Sequence, residues 1–202
     1  MNSSWEAVEF FENLIADYAG SKYAVAVDSC LFLSMKYQKD VERVEADYVL
    51  CPKMTYVSVP AMIINAGYKV KFTDSPWHGA YQLSPLHVVD GAARFTHNMY
   101  SPGYFQCLSF HTKKILSTGK GGMILTDNAK AVEWLKQARF VGRNTERYLD
   151  MKDVTVLGWN MYMTPETAIR GIEQFYSLPK NNRDCGSSVG RVDLSKFTAF
   201  QS

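Results

Sequence analysis

Two adjacent lysines, Lys113 and Lys114, lie between two segments that the sequence predicts to be β-strands. The run 105–110 (FQCLSF) precedes them, and the glycine-rich bend 117–122 (STGKGG) leads into a second run, 123–126 (MILT). A lysine at the end of a buried strand is partly desolvated, which lowers its pKa and leaves the amine free to attack a carbonyl. The pattern therefore indicates Schiff-base chemistry. The alternative is a pair of solvated loop lysines.

Polar residues that follow other predicted strands could complete such a site. Asp90 ends a short apolar run, and Tyr56 lies in a loop between a strand and a helix. Asp28-Ser29-Cys30 joins a strand to a helix whose free N–H groups could hold an anion. Ser109 closes the strand before the lysines.

Strands and helices alternate along the first part of the chain. Apolar residues recur at helical spacing from Trp5 to Tyr18, and the helix should stop at Gly20. The rest of the pattern predicts a helix over 31–37, one over 59–65, one that Asp127 or Asn128 caps and that runs through 140, and one that Thr164 caps and that ends at about 178. Strands are predicted over 22–27, 48–51, 69–72, 87–90, 105–110 and 123–126. This order predicts an α/β fold with a mostly parallel, mixed sheet flanked by helices, and ligands at the carboxyl ends of the strands.

Composition excludes several classes of protein. The chain has 202 residues, 47% of them apolar, and a net charge of +2, which gives no case for nucleic-acid binding. The N-terminus lacks a signal-peptide pattern, and no apolar run approaches the ~20 residues of a membrane span. The four histidines and four cysteines show no metal-ligand spacing, and three cysteines in apolar runs indicate buried free thiols. We expect a cytoplasmic protein without a bound metal.

The segment SFHTKKILSTGKGG resembles the lysine segment of the DegT/DnrJ/EryC1/StrS sugar aminotransferases, which are pyridoxal-phosphate (PLP) enzymes of fold type I. Three further segments resemble the family in the same order: PKMTYVSVPAMIINAGYKVKFTD, VVDGAARF and LGWNMYMTPETAIRGIEQF. Four matches in family order, from about residue 10 to residue 174, are far more specific than any one of them.

The resemblance implies a role for each candidate residue. Lys114 would form the internal aldimine and then move protons as a general acid and base. Asp90 would face the pyridine nitrogen and Tyr56 would stack on the ring. The resemblance places Ser29 and Ser109 at the phosphate, and Asn160 would complete a phosphate site across a dimer.

The sequence departs from the family at several places. Lys120 stands where the family has Glu, Arg94 where it has His or Gln, and the phosphate turn has Cys30 but lacks the family's Gly and Thr. Against the family pattern the segment after Asp74 is short, and we expect a form that lacks the family's smaller C-terminal domain. We expect one PLP-binding domain over 1–179 and a C-terminal arm or partly ordered tail over 180–202.

The resemblance implies two functions. The first is an aminotransferase that acts on a keto sugar, nucleotide-linked, with an amino donor such as glutamate and active sites shared in a homodimer. The second is a degenerate, non-catalytic relative that binds the cofactor or a sugar, or serves as a partner-dependent subunit.

Overall fold

A computed structural model describes residues 5–144 and 151–201. Five α-helices and seven β-strands lie in these ranges. The helices are α1 (Glu6–Ala19), α2 (Cys30–Asp40), α3 (Ser58–Asn65), α4 (Ala129–Ala138) and α5 (Pro165–Ser177). The strands are β1 (Tyr23–Val27), β2 (Val49–Pro52), β3 (Val70–Thr73), β4 (Tyr81–Gln82), β5 (Val88–Asp90), β6 (Phe105–Ser109) and β7 (Gly122–Thr126).

Five strands form one mixed sheet in the order β1-β7-β6-β5-β4, and β2 and β3 form a parallel pair. β5 and β6 are parallel, whereas β7 is antiparallel to both of its neighbours and β4 is antiparallel to β5. The expected mixed sheet with flanking helices is confirmed, with fewer parallel pairings than the sequence suggested. No helix joins β6 to β7, and without such a crossover two sequential strands pair antiparallel.

The two faces of the sheet bury different helices. On β1, Val25 and Val27 point to the face covered by α2, α3 and α4, and Ala24 and Ala26 point to the face covered by α1 and α5. The alternation follows from the two-residue repeat of a strand. Fully buried side chains such as Phe11 of α1 each contribute about 1.5–3 kcal/mol.

The helix boundaries follow the predicted signals. α1 ends at Gly20, which adopts the left-handed conformation (φ 81°) and donates its N–H to the Ala16 carbonyl. Asn128 caps α4 by accepting the Ala131 N–H at 3.1 Å. Thr164 caps α5, and Pro165 occupies the first turn.

A buried ion pair joins helices on opposite faces of β1. Glu12 of α1 contacts Arg139, which follows α4, and both side chains are almost fully buried. Glu12 also accepts the Ala26 N–H at 2.8 Å, and Arg139 donates to the Ala26 carbonyl at 2.7 Å. Because removal of either partner leaves a buried charge, it would cost about 3–5 kcal/mol.

The segment after α5 folds back along the carboxyl edge of the sheet. Cys185 donates its N–H to the Ala93 carbonyl at 2.8 Å, and Leu194 donates to the Lys53 carbonyl at 3.0 Å. Two short 3₁₀ helices, Leu194–Lys196 and Thr198–Phe200, end the described chain. The boundary between a domain over 1–179 and an arm over 180–202 stays a prediction. Within the described ranges, every helix is too short or too polar to cross a bilayer.

Candidate active site

Asp90 ends β5, and two hydrogen bonds fix its carboxylate. The residue is 6% exposed. The Ala92 N–H donates to Oδ1 at 3.0 Å, and the Tyr81 hydroxyl donates to Oδ2 at 2.6 Å. The Thr55 hydroxyl oxygen lies 2.5 Å from that of Tyr81. An ionised carboxylate has about four acceptor positions, so this arrangement orients Asp90 and still leaves it able to accept from a ligand.

Tyr81 is a residue that sequence reasoning missed. Burial, and then the charge of Asp90, raise the pKa of Tyr81 well above its ordinary value, so its hydroxyl stays a donor at neutral pH. Tyr81 lies on the two-residue strand β4, between the strands that the sequence predicts over 69–72 and 87–90. No motif or spacing marks it.

The side chain of Asp90 lies on the face of the sheet that packs against α2. Val88, two residues earlier, belongs to the core on that face, and strand alternation puts Asp90 on the same side. Cys107 of β6 is its partner in the parallel register. The negative charge of Asp90 also contributes to the raised pKa of Cys30 at the start of α2, so the two residues lie within electrostatic reach.

Lys114 lies in the loop that follows β6. Its N–H donates to the His111 carbonyl at 2.9 Å, which closes a turn, and the residue is half-buried, whereas Lys113 is exposed. Because β5 and β6 are parallel neighbours, this loop begins at the same edge of the sheet at which Asp90 lies. The structure thus brings the lysine loop and the carboxylate to one edge.

The loop that carries Lys114 leads into β7 through the pair Gly121-Gly122, and neither position suits a larger residue. A Cβ atom at Gly122 would lie 2.1 Å from the Leu108 carbonyl oxygen and 2.7 Å from the Cys30 sulfur. Gly121 before it has a φ of 95°, a conformation that other residues rarely adopt. Only glycine therefore lets β7 approach β6 and the start of α2 so closely.

The turn Asp28-Ser29-Cys30 opens α2 beside the lysine loop, and an ion pair ties the two together. Lys120 Nζ lies 2.7 Å from Asp28 Oδ2. The Asp28 charge is therefore matched by a cation in the position where the family has Glu. The Lys120 side chain is 80% exposed, so its remaining N–H groups stay accessible.

The hydroxyl and thiol groups near this turn have different partners. The Ser29 hydroxyl donates to the Met62 sulfur at 3.5 Å, and the Ser109 hydroxyl accepts the His111 N–H at 3.4 Å. Both serines are half-buried at the carboxyl ends of β1 and β6. The Cys30 thiol donates to the Leu108 carbonyl at 3.2 Å, and burial raises its pKa, so it is a neutral packing group.

Tyr56 and Asn160 occupy exposed positions at the rim. Tyr56 is 60% exposed, and its neighbour Thr55 contacts Tyr81, which links the Tyr56 loop to the Asp90 network. Asn160 is exposed beside Met161, whose carbonyl accepts the Asp28 N–H at 2.8 Å. Among the described residues, no hydrogen bond or ion pair joins Asn160 to Lys114 or Asp90.

Arg94 is engaged by the segment that follows α5. Its guanidinium binds Asp184 through two contacts, Nε to Oδ1 at 3.0 Å and Nη2 to Oδ2 at 2.7 Å. His78 Nδ1 lies 3.0 Å from the same carboxylate. Hydrogen bonding from Arg94 lowers the pKa of Asp184. In place of the family's His or Gln, this chain thus has an anchor for its C-terminal segment.

The free cysteines agree with the sequence prediction. Cys30, Cys51 and Cys107 are buried, and Cys185 is exposed. Burial raises the pKa of Cys51 to about 12 and that of Cys107 further. Among the residues that the structure describes, no group of three or more His, Cys, Asp or Glu side chains could hold a metal ion.

Comparison with known proteins identifies the family. The model of the DegT/DnrJ/EryC1/StrS aminotransferase family matches residues 2–98 and 91–185. The chain belongs to this family. The sequence resemblance at four separate segments is therefore confirmed.

Two relatives show how much of the family architecture the chain spans. The spore coat polysaccharide biosynthesis protein SpsC of Bacillus subtilis (strain 168) is 26% identical over an alignment 246 positions long, gaps included, which covers 96% of this chain and 61% of that protein. The structure of PseC of Helicobacter pylori, an aminotransferase involved in the biosynthesis of pseudoaminic acid, superposes with a TM-score of 0.69 at 14% identity, over 87% of this chain and 58% of that chain.

A third relative is covered to a similar extent. The sugar aminotransferase CalS13 of Micromonospora echinospora superposes with a TM-score of 0.66 at 15% identity, over 85% of this chain and 60% of that chain. The fold is therefore that of PLP-dependent aminotransferases of fold type I. The chain spans about three fifths of the length of these relatives.

The donor set fits PLP, the cofactor that family membership implies. A buried, hydrogen-bonded carboxylate (Asp90) suits a pyridinium nitrogen, and a half-buried lysine (Lys114) suits the aldehyde. Tyr56 offers an exposed ring for the cofactor face. At the phosphate end, Ser29, Ser109 and the Lys120 ammonium are the available donors, because Cys30 is turned to Leu108.

Proposed function

We propose that this chain binds PLP through Lys114 and transfers an amino group to a keto sugar, nucleotide-linked, with glutamate as the donor class. The observation that carries the proposal is the position of the Asp90 network and the Lys114 loop at the same edge of the sheet, on neighbouring parallel strands. Family membership supports it.

The surroundings of Asp90, Lys114 and Tyr56 suit a different role in the reaction for each residue. Asp90, held by Tyr81 and Ala92, would accept a hydrogen bond from the ring nitrogen of PLP and keep that nitrogen protonated. When bound, PLP supplies the electron sink that amino-group transfer needs. Lys114 then holds and moves a proton at Nζ. Tyr56 would cover one face of the PLP ring and exclude water from that face.

The substrate side of the site is open in a single chain, which supports a dimer. Tyr56 is 60% exposed and Asn160 is exposed at the rim. A second copy placed against this rim would cover Tyr56, and we propose that Asn160 of each chain contributes to the phosphate site of its partner.

A non-catalytic relative is the second candidate, and the phosphate end favours it. Cys30 offers no hydroxyl to the phosphate, and Asp28 brings a negative charge. The ion pair with Lys120 offsets the charge of Asp28, and we therefore favour the aminotransferase over the non-catalytic relative.

The first test is to trap the cofactor on its lysine. The protein is incubated with PLP and reduced with borohydride, and the peptides are analysed by mass spectrometry. We expect the added mass on Lys114, with none in Lys114→Ala and full labelling in the neighbour variant Lys113→Ala. Labelling of Lys113 or Lys120 instead would contradict our assignment. If no lysine were labelled, the aminotransferase would be ruled out and the non-catalytic relative would be the remaining candidate.

The second test separates the two functions. The borohydride step is left out. The PLP-loaded protein is mixed with L-glutamate and a nucleotide-linked keto sugar. Release of 2-oxoglutarate that depends on Lys114 supports the aminotransferase. Stable PLP labelling without 2-oxoglutarate would support the non-catalytic relative.

A further inference from the structure

Residues 184–194, which we call the strap, bind the loop that follows Asp90. Asp184 contacts the Arg94 guanidinium through both of its carboxylate oxygens, at 3.0 and 2.7 Å. The next residue of the strap donates its N–H to the Ala93 carbonyl at 2.8 Å. A two-point contact between a guanidinium and a carboxylate fixes geometry as well as adding energy. This end of the strap is therefore held in one orientation against the loop.

Gly79 makes room for this ion pair. Its φ is 71°, and a Cβ atom there would overlap Asp184 Oδ2 and lie 2.7 Å from Arg94 Nη2. Its N–H also donates to the Gly186 carbonyl of the strap at 3.0 Å. Because a side chain at position 79 would separate the two charges, the docked strap depends on glycine at this point.

The other end of the strap binds the loop that carries Tyr56. The Leu194 N–H donates to the Lys53 carbonyl at 3.0 Å, and Asp193 Oδ2 lies 3.5 Å from Lys53 Nζ. Leu194 is 1% exposed, so its side chain is an apolar anchor for this end. The strap therefore reaches both loops that the proposed contacts with the PLP ring require.

Trp77 connects the middle of the strap to both loops. Its carbonyl accepts the Ser188 N–H at 3.0 Å, and its N–H donates to the Ser188 hydroxyl oxygen at 3.3 Å. The indole Nε1–H donates to the Met54 carbonyl at 3.0 Å. The indole ring lies 4.9 Å from that of Tyr81, the residue that holds the carboxylate at the ring end, and the Arg191 guanidinium of the strap lies 4.9 Å from the indole centroid. The indole therefore joins the strap to both supports of the ring end.

We propose that the strap positions Tyr56 and Asp90 relative to each other for the ring of PLP, with Trp77 as the positioning residue at its centre. The inference rests on the proposed function and gives a role to residues outside the cofactor site. Tyr56 follows β2 and Asp90 ends β5, and these strands belong to different sheets. Contacts between their loops keep the site in its binding-competent arrangement, and loss of that arrangement lowers the apparent affinity in proportion.

Gly79→Ala loosens the strap and leaves the cofactor residues in place. The substitution puts a Cβ atom on the ion pair between Asp184 and Arg94. Its matched control is Gly103→Ala, which strains the backbone in the same way (φ 83°) but puts the added Cβ atom in open space within the described structure. A difference between the two variants therefore reports the ion pair and not the strained backbone.

Trp77→Phe tests the positioning residue directly. It removes the indole N–H that donates to the Met54 carbonyl and retains an aromatic ring beside Tyr81. Trp134→Phe is its matched control, because this indole lies on α4 and packs against Trp159. This second variant keeps the proposal testable if the first does not fold.

The first measurement is amide hydrogen exchange without ligand, followed by mass spectrometry. In Gly79→Ala and Trp77→Phe we expect faster exchange in peptides that contain residues 53–59 and 91–95, because opening of the strap exposes the amides of both loops. Peptides from α1 should exchange at the wild-type rate, and both controls should do so in the 53–59 and 91–95 peptides. Wild-type exchange at both loops in the two strap variants would overturn the proposal.

The second measurement is equilibrium dialysis with PLP and with pyridoxal. Because the strap supports the ring end, both dissociation constants should rise by the same factor, about three- to tenfold, in Gly79→Ala and Trp77→Phe. The controls should stay within about twofold of the wild type. A role in stability alone would speed exchange and leave both constants unchanged. That result, or a loss confined to PLP, would overturn the proposal.

The same dialysis distinguishes this proposal from the proposed function. If the wild type binds both ligands and the two strap variants bind them equally well, only the positioning role of the strap is wrong. If the wild type binds neither ligand, the proposed function is wrong, and the positioning role is wrong with it.

Discussion

The two ends of the candidate active site are built differently. At the ring end, Asp90 is buried and held by Tyr81, which in turn contacts Thr55. At the phosphate end, Lys120 and Asp28 form an exposed ion pair. Buried hydrogen bonds to a charge are worth about 1.5–3 kcal/mol, and exposed ion pairs about 0.2–1 kcal/mol. The ring end should therefore be rigid and sensitive to change, and the phosphate end adaptable.

Two ligands can separate these ends. In the proposed site PLP would contact both of them, whereas pyridoxal has the same ring without the phosphate. A substitution at the ring end should weaken both ligands equally. A substitution at the phosphate end should weaken PLP alone. Equilibrium dialysis gives both dissociation constants.

The largest effect is expected from Asp90→Asn. The amide cannot keep the ring nitrogen protonated, and it removes the negative charge from the acceptor of the Tyr81 hydrogen bond, which weakens that bond. We expect both ligands to bind roughly 10- to 100-fold more weakly, the loss that corresponds to about 1.5–3 kcal/mol. Asp47→Asn, at an exposed position, is the control. A loss confined to PLP would mean that Asp90 does not face the ring.

Tyr81→Phe tests whether the carboxylate needs its support. The change removes one hydrogen bond to Asp90 and leaves the aromatic contact with Trp77, whose ring centroid is 4.9 Å away. We expect about a three- to tenfold loss for both ligands. Equal binding by Tyr81→Phe and the wild type would show that the Ala92 N–H is sufficient to orient Asp90.

Lys120→Gln tests the phosphate end. The change leaves Asp28 unpaired beside the turn, so the phosphate of PLP meets an uncompensated negative charge. We expect PLP to bind about two- to fivefold more weakly, with pyridoxal unchanged. The effect should shrink in high salt because the pair is exposed. Lys113→Gln, on the same loop, is the matched control, and an equal effect there would point to a general charge effect.

The smallest effect is expected from Cys30→Ser. The thiol donates to the Leu108 carbonyl, and a serine hydroxyl would keep that partner and face away from the ligand. We expect both dissociation constants to change less than about twofold. A marked gain for PLP alone would show that residue 30 turns toward the phosphate when the site is occupied.

Local sequence patterns predicted most helices and strands, whereas the pairing of the strands depends on long-range contacts and was harder to predict. The cap at Thr164 and the stop at Gly20 depend on neighbouring residues, so the sequence shows them directly. For α4 the sequence narrowed the cap to Asp127 or Asn128, and the structure shows that it is Asn128. The sequence underestimated the antiparallel pairing of β7, because strand direction depends on how the chain returns after Ser109. It did not reveal β4, because a two-residue strand has no period to detect.

The same division applies to the residues of the site. The lysine loop, the strand-end position of Asp90 and the glycine-rich bend over 117–122 could be predicted from the sequence, since each follows from local residue types and from the resemblance to a family. The support of Asp90 by Tyr81, the pairing of Lys120 with Asp28 and the binding of Asp184 by Arg94 became visible only in the folded chain. In each of these pairs the partners come from different elements, and side chains distant in the chain meet only when packing brings their elements together.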